Sequence, residues 1–181
     1  MGHLSVSPIH TERLVLLPLR VEHAEEMAGV LADPDVSARF FGGGEPPSVE
    51  RLRAAYEWLL ATSSDTDSTI SWCNWVIHLR EAYCLTGFVQ ATVSPSDRGP
   101  SAAVSMVVGS PWQGRGIGKE TARALRGWLH SRRVDIVVAN IHPDNRASRA
   151  VADSAGLTPT AQRYDDTVLW QSHGTGEPGE Q

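Results

Sequence analysis

The chain has 181 residues, about the size of one ordinary domain, and its 41% hydrophobic and 20% charged residues are typical of a globular protein. Its formal net charge is −5 and it contains no run rich in lysine and arginine, which argues against a nucleic-acid partner. It has no long apolar stretch near residue 1 and none of about 18 residues elsewhere, so we expect no signal peptide, a cytoplasmic location and no membrane partner. No repeat or composition break divides the chain, which predicts one domain over residues 1–172 and a flexible tail over 173–181.

The first part of the chain predicts a strand, two helices and a loop. The apolar run over residues 13–19 predicts a strand. Apolar residues at helical spacing over 23–32 predict a helix, which an Asp-Pro pair ends. The glycine- and proline-rich segment 40–47 predicts a loop. Ser48 then fits the N-cap of a second, amphipathic helix.

The middle of the chain changes to a strand pattern. β-Branched and aromatic residues dominate three stretches, at 72–79, 85–93 and 102–108. A turn sequence, Asp-Arg-Gly-Pro at 97–100, separates the second stretch from the third. These segments predict an antiparallel meander.

The last part of the chain predicts alternating helices and strands. After the glycine-rich segment 109–116, apolar residues predict a helix from Ile117, followed by a strand over 134–141. A further helix starts near Asn145 and is ended by a glycine, and residues 157–171 hold one or two strands around an Asp-Asp turn. The complete order predicts a mixed α/β domain.

The cysteines and histidines do not predict a metal site. Cys73 and Cys84 match no metal-ligand spacing, and we expect two buried, reduced thiols. The seven histidines show no His-x-x-x-His spacing, so no metal ligand is predicted.

The segment that begins at Gln113 has the properties of an anion site. Gly114, Gly116 and Gly118 lack a Cβ atom, which allows a ligand to approach the backbone closely. The first amides of the following helix have no partner within the helix and carry partial positive charge. Arg115 would add charge at the rim of this site.

Three patterns of phosphate-binding loop compete for this segment. A Walker A loop requires Ser or Thr after Gly-Lys, but Glu120 follows Lys119. The dinucleotide pattern Gly-x-Gly-x-x-Gly would need a glycine at position 119. The pattern Gln-x-x-Gly-x-Gly is matched in full by Gln113, Gly116 and Gly118.

The motifs together resemble the GNAT superfamily of N-acetyltransferases. The sequence Gln-Gly-Arg-Gly-Ile-Gly at 113–118 resembles its acetyl-CoA signature. Thr-Glu-Arg-Leu at 11–14 and Asp-Pro-Asp-Val at 33–36 resemble the RimJ/RimL-like branch, and 141–148 with Gly-Leu at 156–157 resembles the family's second motif. The matches follow the expected order over most of the chain.

The resemblance implies a fold and a cofactor. It implies a mixed α/β (α+β) fold with a mostly antiparallel central sheet of six to seven strands and about four helices, splayed at the strand before the Gln113 loop. It implies acetyl-CoA as the cofactor, with backbone groups of Met106 and Val108 beside the pantetheine arm. The pyrophosphate would lie on the backbone of Gln113, Gly114, Arg115, Gly116, Ile117 and Gly118. Asn145 and Ser148 would face the cofactor arm, although Asn145 also fits a plain N-cap and Ser148 a surface hydroxyl.

The resemblance also implies direct acyl transfer, but two expected catalytic side chains are absent. Many relatives carry a glutamate where this chain has Ala103, and a tyrosine where it has Ala152. Ser148 is the candidate acid. The base must come from elsewhere, and the candidates by residue type are His78, Tyr164, Asp165 and Asp166.

The acceptor is expected to be a primary amine, either a peptide N-terminus or a small-molecule amine. Its pocket would form from the first two helices, the loop over 40–47 and the turn near Tyr164. The alternative is a domain of the same fold that binds acyl-CoA without transferring it, because the usual base position is empty. The protein is expected to be a monomer or a homodimer.

Overall fold

The computed structural model describes residues 4–34, 36, 45–64 and 68–172. The predicted tail at 173–181 and most of the predicted loop over 40–47 lie outside these residues. Four α-helices of at least seven residues lie in the described part: Ala24–Val30 (α1), Val49–Ser63 (α2), Ile117–His130 (α3) and Arg146–Ser154 (α4). The strands are Ile9–His10 (β1), Leu14–Pro18 (β2), Ser71–Leu79 (β3), Cys84–Ser94 (β4), Ser101–Val108 (β5), Ile136–Ile141 (β6), Leu157–Tyr164 (β7) and Thr167–Ser172 (β8).

The eight strands form one sheet in the order β1-β2-β3-β4-β5-β6-β8-β7. All neighbours are antiparallel except β5 and β6, which run parallel because α3 connects them as a crossover. The predicted mixed fold is therefore confirmed. The sheet exceeds six or seven strands because the two-residue β1 extends one edge and residues 157–172 form a complete hairpin, turning at Asp165 with φ of 51°.

The sheet is splayed between β5 and β6. β5 pairs with β4 along its whole length, from Gly87↔Val108 to Ser94↔Ser101. It pairs with β6 only from Ser101↔Ile136 to Ala103↔Val138. Residues 104–108 therefore have no strand partner on the β6 side, and a wedge opens there.

Helices cover both faces of the sheet. α3 and α4 pack on one face, where Trp75 of β3 meets Trp128 of α3 edge to face, with ring centroids 4.9 Å apart. α1 and α2 pack on the other face, where Tyr56 stacks on Phe88 of β4. Alternate residues of β3 and β4 enter opposite cores because successive side chains of a strand point to opposite faces. No described helix combines the length and apolar character needed to cross a bilayer.

The two cysteines are free, and burial holds both protonated. Cys73 is buried, and this burial, partly offset by the charge of Arg132, raises the pKa of its thiol to about 11. Cys84 is only half-buried, in contrast to the prediction, because it lies at the first position of β4. Burial and the charge of Glu26 also raise the pKa of the Cys84 thiol. Neither thiol is activated as a nucleophile.

Two buried threonines provide a matched test of the core. Thr121 of α3 is fully buried, and its hydroxyl has no hydrogen-bond partner among the described residues. Thr86 of β4 is equally buried, but its hydroxyl donates to the Ile77 carbonyl at 3.2 Å. We expect Thr121→Val to raise the free energy of unfolding by about 1 kcal/mol, because it removes an unsatisfied polar group.

The control substitution, Thr86→Val, should lower the free energy of unfolding by about 1 kcal/mol, because it leaves a buried carbonyl without its donor. Urea unfolding of both variants at neutral pH measures the two changes. Destabilisation by Thr121→Val would show that its hydroxyl makes a bond that the structure lacks.

Candidate active site

A cavity of about 730 Å³ occupies the wedge between β5 and β6. It extends from the open part of β5 past the start of α3 to the first turns of α4. All the predicted cofactor-binding residues except Arg115 line it: Met106, Val108, Gln113, Gly114, Gly116, Ile117, Gly118, Asn145 and Ser148. The predicted residues thus converge on one site although they come from three separate parts of the chain.

A second hollow of about 520 Å³ lies at the other ends of α3 and α4. Arg126 there donates to the Ala155 carbonyl and so satisfies the C-terminus of α4. This hollow faces helix C-termini, which carry partial negative charge, and it therefore lacks the backbone amides that favour an anion in the larger cavity.

The first turn of α3 carries free backbone amides beside the larger cavity. Gly114 and Gly116 have φ of 75° and 80°, which other residues rarely adopt, and Gly116 is the N-cap of α3. The first hydrogen bond of the helix runs from Glu120 N–H to Gly116 C=O at 3.0 Å. The amides of Ile117, Gly118 and Lys119 precede this bond, and all three residues line the cavity. This arrangement favours an anionic ligand.

Gly118 has a different role from the one we expected for the three glycines. It lies in the first turn of α3, and a Cβ added there would come within 3.1 Å of Val151 Cγ2 on α4. The absence of a side chain at Gly118 therefore allows α3 and α4 to pack closely. The positive φ of Gly114 and Gly116 accounts for glycine at those two positions.

Gln113 connects the loop to the open strand. Its side-chain Nε2 donates to the Val108 carbonyl at 2.8 Å. Gly109 N–H donates to the Thr86 carbonyl on β4 at 2.8 Å. Because successive residues of a strand direct their N–H and C=O groups to opposite sides, those of Val108 and Met106 point away from β4, toward the wedge. The Gln113 side chain already bonds the Val108 carbonyl. The Val108 N–H and the N–H and C=O of Met106 therefore remain directed at the cavity.

An ion pair joins the start of the chain to this loop. Arg13 Nε lies 2.7 Å from Glu120 Oε2, and the Arg13 N–H and the Thr11 hydroxyl donate to Glu120 Oε1 at 3.0 and 2.6 Å. Arg13 Nη1 also donates to the Arg115 carbonyl at 3.0 Å. Arg115 thus contributes to this contact through its backbone carbonyl rather than its side chain. The motif at 11–14 pointed to these residues, but nothing in the sequence predicted that they contact Glu120.

The environment of Glu120 favours its ionised form. Partial burial raises the pKa of Glu120, but the hydrogen bonds from Thr11 and Arg13 and the charge of Arg13 outweigh it, so the pKa lies below its usual 4.5. The carboxylate is therefore charged at neutral pH.

Asn145 and Ser148 lie together at the start of α4. The Asn145 Oδ1 accepts a hydrogen bond from Ser148 N–H at 3.0 Å, so Asn145 is the N-cap of the helix, as the simpler alternative held. Ser148 is half-buried and lines the cavity. Ala152, where relatives have a tyrosine, also lines the cavity, so no phenol is present at that point.

The candidate bases are not brought together. His78 lies on β3, paired with Val15 and Leu85, and is not among the residues that line the cavity. It is two strands from β5, or roughly 10 Å. Tyr164 is exposed, and Asp165 forms the hairpin turn. A catalytic role for His78 stays a prediction.

His142 lines the cavity and was missed by sequence reasoning, although it belongs to the second motif. Its Nε2 lies 3.7 Å from Asp166 Oδ2. Its Nδ1 accepts a hydrogen bond from Asp144 N–H at 3.2 Å. Among the described residues, no group of three or more His, Cys, Asp or Glu side chains could hold a metal ion.

The fold and the site together define a class of protein, a mixed α/β domain with a cavity between a splayed strand and the N-terminus of a helix. The chain belongs to the GNAT acetyltransferase family, because the family model described as "Acetyltransferase (GNAT) domain" matches residues 13–158. The predicted resemblance is thereby confirmed. Acetyl-CoA is the cofactor that this membership assigns. A comparison with curated protein sequences found no significant match.

Solved structures share the fold over nearly the whole chain. The acetyltransferase from Agrobacterium tumefaciens is 23% identical, with coverage of 94% of this chain and 96% of that chain and a TM-score of 0.67. RimL, a ribosomal L7/L12 alpha-N-protein acetyltransferase solved with coenzyme A, is 16% identical, with coverage of 91% and 97% and a TM-score of 0.73. Aminoglycoside acetyltransferase AAC(6')-Ib, also solved with coenzyme A, is 16% identical, with coverage of 90% and 95% and a TM-score of 0.69.

The ion pair of Arg13 and Glu120 gives a testable pH dependence. Because the native pKa of Glu120 is lowered, its carboxylate stabilises the folded state above pH 4.5, and this contribution is lost as the pH falls through the native pKa. We expect Glu120→Gln to unfold at lower urea concentration than the native protein at neutral pH. The difference should shrink as the pH falls below 4.5.

The control is Glu12→Gln, which removes the same charge from an exposed side chain beside Arg13. It should leave the unfolding midpoint nearly unchanged at each pH. An equal effect of the two substitutions would mean that net charge, rather than the ion pair, stabilises the fold.

Proposed function

We propose that this protein is an acetyl-CoA-dependent N-acetyltransferase that transfers an acetyl group to a primary amine, either a peptide N-terminus or the amine of a small molecule. The observation that carries the proposal is the cavity in the β5–β6 wedge, which combines the free amides at the start of α3 with the unpaired backbone of β5. An elongated ligand with an anionic group at one end fits this combination.

The chain's own residues fit the cofactor. The amides of Ile117, Gly118 and Lys119 would hold the pyrophosphate, and the positive φ of Gly116 directs them outward. The Val108 N–H and the backbone groups of Met106 would pair with the amides of the pantetheine arm, as a neighbouring strand would. When bound, acetyl-CoA supplies the thioester carbon that the amine nitrogen attacks, so that a C–N bond forms, the C–S bond breaks and the thiolate leaves.

Two protons must move in this reaction. The attacking amine loses one, and the leaving thiolate gains one. The Ser148 hydroxyl would donate the second proton, since Ser148 lines the cavity near the start of α4. The first would leave through water, because Ala103 is exposed and supplies no proton acceptor. His78 would act as a base only through such water, given its distance from the wedge.

The fold neighbours include an α-N-acetyltransferase of ribosomal protein and an aminoglycoside acetyltransferase, and these names support both acceptor classes. The alternative function is binding of acyl-CoA without transfer. Ala103 and Ala152 favour it, since they replace the acid–base side chains of relatives while the anion-binding glycines are retained.

Substitution of Gly116 tests the cofactor site. Gly116→Trp should lower acetyl-CoA affinity by at least about 100-fold in calorimetry, because the indole would occupy the mouth of the anion site. Gly99→Trp is the matched control, since Gly99 also has a positive φ, of 107°, but lies in the turn between β4 and β5. Absence of binding by the native protein would reject both transfer and simple binding.

Substitution of Ser148 tests the proposed acid. Ser148→Ala should lower kcat by about 100-fold, which is typical for loss of a general acid, with little change in acetyl-CoA affinity. Thiol release with a peptide, a polyamine and an aminoglycoside measures the rate. Ser154→Ala is the control, since Ser154 is on the same helix but its hydroxyl donates to the Val151 carbonyl. An unchanged kcat would remove Ser148 from the mechanism, and no thiol release with any amine would favour binding alone.

A further inference from the structure

A row of three polar side chains crosses the sheet beside the cavity. Asn74 of β3 pairs with Gln90 of β4, and Gln90 pairs with Ser105 of β5. Side chains directly opposite each other on neighbouring strands lie on the same face, here the face that α1 and α2 partly cover. Asn74 is only 4% exposed, Gln90 is half-buried and Ser105 is exposed. The row thus runs from the core to the surface.

Hydrogen bonds continue this row into α2, and all of them run in the same direction. The Ser63 hydroxyl donates its only proton to the Leu59 carbonyl at 2.7 Å. It can therefore only accept from Asn74, whose Nδ2 lies 3.3 Å away. The Asn74 Oδ1 is then turned to Gln90, whose Nε2 donates to it at 2.6 Å. Ser63 thus orients the side-chain amide of Asn74, and Asn74 orients that of Gln90.

The consequence is a free acceptor at the outer end of the row. With its Nε2 committed to Asn74, Gln90 must present its Oε1, and no described residue donates a hydrogen bond to that oxygen. An amide oxygen whose orientation is held by a partly buried network is a good partner for a donor such as an amine or ammonium group.

This acceptor lies next to the expected reaction centre. Ser105, directly opposite Gln90, lines the cavity, and it stands between Val104 and Met106 of the splayed strand. Ala103, the position where relatives have glutamate, is the next residue of β5 on the same face, and both Ala103 and Ser105 are exposed. Gln90 itself does not line the cavity, but its side chain lies about 5 Å from that of Ser105, so a molecule that approaches this face of β5 at Ser105 comes within reach of Gln90.

We infer that Gln90 Oε1 and Ser105 Oγ bind the acceptor amine. Asn74 and Ser63 are positioning residues that fix the orientation of the Gln90 amide. This inference rests on the proposed function, since it names a binding point for the amine substrate. It also assigns the recognition of that amine to uncharged oxygens, because the carboxylate of relatives is absent at Ala103.

The test measures amine binding without requiring transfer. The probes are a tripeptide amide with a free N-terminus, its N-acetylated form, spermidine and kanamycin, each titrated calorimetrically into the full chain saturated with CoA. At least one free amine should bind, and the acetylated peptide should bind more weakly than the free peptide. Gln90→Met, which keeps the length of the side chain but removes its oxygen, should weaken amine binding about tenfold, with unchanged CoA affinity.

Two further variants separate recognition from folding. Ser105→Ala changes an exposed side chain, is not expected to disturb the fold, and should weaken amine binding by about threefold. Ser63→Ala lets the amides take either orientation, so about half of the molecules present the correct atom and the apparent Kd should rise about twofold. Gln162→Met on exposed β7 is the control and should change nothing.

Three results would overturn the inference: no amine binding by the native CoA complex, equal binding of the acetylated peptide, or Kd values within twofold of native for both Gln90→Met and Ser105→Ala. Failure of the proposed function gives different results. These are absence of acetyl-CoA binding, or amine binding without thiol release.

Discussion

The open backbone of β5 is the constraint on which the site depends. A strand in the middle of a sheet normally satisfies its backbone groups on both sides, but beyond Ala103 β5 has a strand neighbour only in β4. The Gln113 side chain satisfies the Val108 carbonyl, and the remaining groups face a cavity. The same gap leaves space for the N-terminus of α3 to open into the wedge. The candidate anion site and the free strand edge therefore both follow from one break in strand pairing.

The ion pair of Arg13 and Glu120 stabilises the loop and the helix N-terminus that border the cavity. Glu120 lies in the first turn of α3, so a contact with it fixes the helix end that presents the amides. Arg13 also bonds the Arg115 carbonyl, which fixes the loop between the two positive-φ glycines. The bend between β1 and β2, which carries Arg13, thereby helps to fix the geometry of a site built from the second half of the sequence.

The features that could be predicted from the sequence are those that depend on residues close together in the chain. The helices, the meander and the loop at 113–118 follow from periodicity, turn residues and glycine spacing, and each lies close to its predicted position. Contacts set by tertiary packing were not predictable. Arg13 and Glu120 are 107 positions apart. The orientation of Gln90 depends on strand register and on Ser63 in another helix, and the need for glycine at 118 depends on how closely α4 approaches.

The short pairing of β5 with β6 has a mechanical consequence. Only three residue pairs join the five strands at one end of the sheet to the three at the other, while α3 and α4 span the joint. A ligand that pairs with Met106 would complete the missing ladder and bind the two halves to each other. The backbone amides of Met106 and Val108 would then exchange their protons with solvent more slowly, so two amides near the centre of the sheet report whether the wedge is filled.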